Sequence, residues 1–125
     1  MGVQRKVEDV LDIEHFDILL EKDQDEPGFI DEMISGFEKN GKESLEKMYE
    51  AIEAGDFEKI KFFSYKLKRI SGTLGAKILI SRSSEIEKLA FKGKNLDEIK
   101  RVSKNCSFYF LVSLEHIKKR ALSHG

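Results

Sequence analysis

An all-α fold, an up-down-up-down four-helix bundle with an additional short N-terminal helix, is what this sequence predicts, and three observations predict it. Apolar residues recur every three or four positions over most of the 125 residues, the period of a helix that buries one stripe. Pro27 is the single proline, so little interrupts long helices. Short turns carrying glycine, aspartate or asparagine separate the stripes, and such links make successive helices antiparallel neighbours. The length suits one domain over residues 1–125.

The first helix follows Asp12 as its cap and runs to Glu21, with Ile13, Phe16, Leu19 and Leu20 on its stripe. His15 lies off that stripe and reads as a solvated surface histidine. Lys22 to Glu26 form a polar turn, and Pro27 opens the second helix as its first residue, where the missing N–H costs nothing. Ile30, Met33, Ile34, Phe37, Leu45, Met48 and Ile52 carry this helix to Ala54. Gly36 and Gly41 weaken it by roughly 1 kcal/mol each relative to alanine if exposed, and nothing in the sequence requires close packing at either.

Gly55 and Asp56 end that helix and cap the next, the stretch Phe57 to Ala76, FEKIKFFSYKLKRISGTLGA. At about 100° per residue, Ile60, Phe63, Leu67, Ile70 and Leu74 gather on one buried face. Tyr65 then falls about 180° from the centre of that face, pointing at solvent, with Lys61, Lys68, Arg69 and Gly72 around it and Phe62 on its flank. Aromatics and arginine are enriched at interfaces, so the residues alone allow a contact patch. Ordinary surface is the simpler reading.

A fourth helix runs from Ala76 to about Phe91, with Leu79, Ser83, Ile86, Leu89 and Ala90 inward, basic Lys88 and Lys92 near its C-terminus, and Gly93 as its stop. Ser81, Ser83 and Ser84 around Arg82 read either as a phosphorylation site or as a seam of small packing residues. The last helix begins with Asn95 as cap, Glu98 three residues on and Asp97 beside it, and continues unbroken to about Leu122. Leu96, Ile99, Cys106, Phe110, Leu114 and Ile117 form its stripe, which makes Cys106 a buried small hydrophobe; His116 sits beside the stripe as surface.

Charge and motifs narrow the function classes. With 22 basic against 23 acidic residues there is no global case for nucleic acid. A lone cysteine makes no internal disulfide, no His or Cys pairs have metal-ligand spacing, and no P-loop, GxGxxG or HExxH is present, so neither metal nor cofactor is implied. No stretch approaches the roughly 18 apolar residues of a membrane span, and the N-terminus has no apolar leader, which places the chain in the cytoplasm with passage into the nucleus open. Met1 and Gly2 begin like a myristoylation signal, but Lys6 stands where Ser or Thr is preferred.

The third helix resembles a known family. Histidine-containing phosphotransfer (HPt) domains are helical bundles of this size with a motif AHxLKGxSxxLGAxxL, followed by a small residue and LE. Here the corresponding residues are Ser64, Tyr65, Leu67, Lys68, Arg69, Ser71, Leu74, Gly75, Ala76 and Leu79, then Ser83, Ile86 and Glu87. Agreement extends upstream through Ala54 to Phe57, and helix order and lengths agree over essentially the whole chain. Tyr65 occupies the phosphorylated histidine's position and Arg69 that of the glycine four residues on.

The resemblance implies a relay in which that histidine passes a phosphoryl group between aspartates of receiver domains. Imidazole titrates near pH 6.5 and offers an unprotonated nitrogen at neutral pH, whereas a phenol titrates near pH 10 and is a poor acceptor without a base. Arginine also fills the space through which glycine lets the partner approach. The resemblance therefore implies a pseudo-HPt protein, not an enzyme, and a monomer. It would dock on receiver domains of response regulators or hybrid histidine kinases through Lys61, Phe62, Tyr65, Lys68, Arg69 and Gly72. Such cations match the acidic rim of a receiver in sign and favour encounter and orientation. The alternatives are a helical adaptor for an unrelated partner and a phosphotransferase that uses His15 or His116 instead.

Overall fold

A computed structural model describes residues 6–124, and among these every regular element is helical. Met1 and Gly2, weighed above for a lipid signal, lie outside the described residues. In chain order the helices are α1 (Val7–Val10), α2 (Ile13–Asp25), α3 (Phe29–Ala54), α4 (Phe57–Leu74), α5 (Lys77–Lys92), α6 (Leu96–Ser103) and α7 (Cys106–His124). None of the described helices is long and apolar enough to cross a membrane.

The long helices pack in a ring: α3 against α4, α4 against α5, α5 against α7 and α7 against α3. Cross-helix pairs give the directions. Glu38 meets Lys118 and Tyr49 meets Ser107, so α3 and α7 are antiparallel; Lys61 meets Phe91 and Lys68 meets Glu87, so α4 and α5 are antiparallel as well. The core inside the ring is one cluster in which Phe16, Phe37, Met48, Leu67, Leu79, Ile99 and Ile117 are almost completely buried. Gly41 belongs to this packing, because a Cβ there would stand 2.5 Å from Cε1 of Phe110.

Caps follow residue type at two helix starts. The carboxylate of Asp12 accepts the His15 N–H at 3.1 Å, and that of Asp56 accepts the Lys59 N–H at 3.2 Å. Other boundaries differ from the sequence reading. Helix α2 continues past Glu21 to Asp25, because Lys22, Asp23 and Gln24 remain helical and Asp23 turns its carboxylate to the Ile30 N–H at 2.9 Å. Pro27 is not the first residue of α3: it lies in the turn before Gly28, whose φ of 91° only glycine adopts readily, and the helix starts at Phe29. Helix α1 was not foreseen, since four residues are too few to show a period.

The final helix is two helices. Between them the hydroxyl of Tyr49, from α3, donates to the Ser103 carbonyl at 2.7 Å and accepts the Ser107 N–H at 3.3 Å. In an unbroken helix those two backbone groups would bond to each other, so the phenol is spliced into the ladder and α6 ends there. Nor does Asn95 cap α6 through its side chain. It takes a left-handed conformation with φ 64°, and Glu98 turns to Arg101, forming two hydrogen bonds of 2.8 and 2.5 Å, so the reciprocal capping box is absent.

The segment before α2 closes over the end of α4. Leu11 forms an antiparallel bridge with Ala76, and the Asp12 N–H donates to the Gly75 carbonyl at 2.8 Å. His15 is half-buried here, not solvated, and its Nε2–H donates to the Thr73 carbonyl at 3.1 Å. Gly75 needs its hydrogen twice over: φ is 74°, and a Cβ would sit 3.0 Å from Asp12 Cβ.

Candidate functional site

Helix α4 is anchored at both ends, by the Asp56 cap and by the clasp at Thr73 and Gly75. Along its inner side Ile60, Ser64, Leu67, Ser71 and Leu74 are buried, while Phe63 and Ile70 are only partly so. The buried stripe is thus rotated from the one read off apolar residues alone, because two serines occupy it. Small side chains there let neighbouring helices come close, and the Ser64 hydroxyl is satisfied locally by donating to the Lys61 carbonyl at 3.1 Å.

The outer side carries the predicted face. Tyr65 is 44% exposed and Phe62 57% exposed, and the Tyr65 hydroxyl has no hydrogen-bond partner among the described residues. Lys68 Nζ lies 5.1 Å and the Arg69 guanidinium 6.0 Å from the Tyr65 ring centroid, within and at the edge of cation–π range. Gly72 is exposed and a Cβ there would meet nothing within 4 Å, so its place on this face is not a packing requirement; the helix passes through it and ends at Leu74.

The structure brings all six predicted residues onto α4 but does not leave their charges equally available. Lys68 is half-buried and paired with Glu87 of α5 at 2.6 Å. Lys61 pairs with Glu58 at 3.6 Å and lies 5.5 Å over the ring of Phe91. Arg69 is exposed and forms no ion pair among the described residues. Exposed Lys66, 5.9 Å over Phe62, was missed although it adjoins Tyr65 in sequence. Phe91 was missed too: it is 76% exposed and reaches the face from α5, so no single-helix wheel contains it.

Three exposed aromatics, two cations outside ion pairs and two within them make a surface suited to contact with an acidic, partly apolar partner. Among the described residues no group of three or more His, Cys, Asp or Glu side chains is placed to hold a metal. Cys106 lies away from this face on α7, where burial pushes its thiol up to about 11 despite the opposing charge of Arg82. Ser83 is a packing residue whose hydroxyl bonds the Leu79 carbonyl, whereas Ser81 is exposed. Compared with known proteins, the chain matches no family model, no curated protein and no solved structure at a significant level.

Proposed function

We propose that this chain is a pseudo-HPt protein: α3, α4, α5 and α7 form an up-down-up-down four-helix bundle that docks on receiver domains through the outer face of α4 without accepting phosphate. In that role it inhibits or modulates a two-component phosphorelay by occupying the surface that an active phosphotransfer protein needs. The observation that carries the reading is the outward projection of Tyr65 from the middle of α4, between Phe62 and the Lys68 and Arg69 cations, where the resembled family carries its reactive histidine. Phe91 extends the apolar part of the face, and Lys66 and Arg69 supply its open positive charge.

Titration of receiver domains against the intact chain tests the docking. Tyr65→Ala, Arg69→Glu and Phe91→Ala should each weaken binding by about tenfold, the range of a moderately important interface residue. If no receiver binds, or all three variants bind unchanged, the reading fails. Mixing with a phosphorylated receiver should leave no acid-labile label on this chain. Replacing Tyr65 by His and Arg69 by Gly together should restore some acceptance, and Tyr65→His alone less.

The Lys68–Glu87 pair favours a second reading, an adaptor for an unrelated protein, because the cation that neighbours the phosphoryl group in the resembled family is here engaged internally. The two readings part on Glu87→Gln, which frees Lys68. Receiver binding should strengthen under the first reading, and an unrelated partner found by pull-down, with no receiver affinity, supports the second.

A further inference from the structure

We infer that the face formed by α3 and α7 is a self-association surface on which two copies of this chain pair about a two-fold axis. Phe108 and Leu111, one turn apart on α7, are 52% and 63% exposed. Leu111 itself lines a groove of about 310 Å³ between α3 and α7, together with Leu45, Tyr49, Phe110 and Leu114. Single exposed apolar residues need no explanation, but two adjoining large ones next to an apolar groove form a patch that does. A projection and a receiving groove on the same face are what a two-fold contact requires, because the same surface serves both partners.

Charge selects the occupant and its direction. The α3 rim of the groove carries Glu38, Lys42 and Glu46 at intervals of one turn. Glu38 is bound to Lys118 of its own chain at 3.2 Å, whereas Lys42 and Glu46 form no ion pair among the described residues. When two α3 helices meet antiparallel about an axis between these positions, Lys42 of each copy faces Glu46 of the other; in parallel register like charges meet. The second copy brings both the matching apolar relief and the matching charges. This departs from the monomer expected from sequence, and it stands apart from the docking reading because it uses the opposite side of the helix ring.

Sedimentation equilibrium from micromolar to millimolar concentration tests it. The mass should rise from one chain to two, and Leu111→Glu should hold it at one while the helical circular dichroism and melting curve are kept; Phe108→Ser replaces it if they are not. Lys42→Glu should raise the dissociation constant about tenfold, and adding Glu46→Lys should return it to near the original value. A one-chain mass throughout overturns the inference, as does a dimer untouched by both apolar variants or a charge exchange that restores nothing. None of these outcomes bears on receiver binding.

Discussion

A methyl group added at Gly41 would be pressed against Phe110, whose ring is buried and stacked on Phe37 with centroids 5.2 Å apart, so the ring must shift and give up part of that stacking. Overpacking costs about 1–3 kcal/mol against the roughly 1 kcal/mol that alanine adds to a helix, and Gly41→Ala should destabilise by up to about 2 kcal/mol. At Gly36 the nearest atom to a new Cβ is Asn40 Nδ2 at 3.9 Å, so Gly36→Ala should stabilise by up to about 1 kcal/mol. Urea unfolding with unchanged slope measures both, and equal signs would contradict the packing described. In the sequence the two glycines are indistinguishable, because the residue that separates them is 69 positions downstream of Gly41 at 110 and no local pattern names it.

The break between α6 and α7 belongs to the element scale. Residues 96 to 122 are all compatible with one helix, and the interruption comes from a tyrosine 54 residues upstream of Ser103. Tyr49→Phe removes both bonds and leaves the Ser103 carbonyl and Ser107 N–H to find other partners, a loss of about 1–3 kcal/mol. Faster amide exchange at Ser107 is the expected sign; unchanged protection would mean that the two helices fuse. The capping box fails for a related reason: Asn95 in the left-handed region cannot present its side chain to the helix start, and Glu98 is held by Arg101. The hydrogen bond from Arg101 lowers the Glu98 pKa below the usual carboxylate value. Because the folded pKa is the depressed one, the pair's contribution is complete above the ordinary carboxylate range and is lost as pH falls through the depressed value. Carboxyl NMR of Glu98 should titrate below a free glutamate and return towards it in Arg101→Ala.

For the whole molecule, the order of the long helices and the outward place of Tyr65 were legible because both follow from period and turn spacing. Phe91, Lys68's partner Glu87 and the α3–α7 groove were not, since each arises only where two helices meet. If both proposals hold, the pair of chains carries two α4 faces directed away from each other. Two receivers joined by a flexible linker long enough to reach both faces should then bind the intact protein more tightly than Leu111→Glu, while a single receiver binds both alike; equal binding in the two formats would separate the faces functionally. The clasp at the end of α4 has a use of its own. His15 holds Thr73 from 58 residues away in sequence, on the same helix as Tyr65 but two turns beyond it, so its imidazole resonance is a native spectroscopic probe. A partner seated on α4 that shifts the helix end would be heard at His15 without a label ever being attached to the docking face.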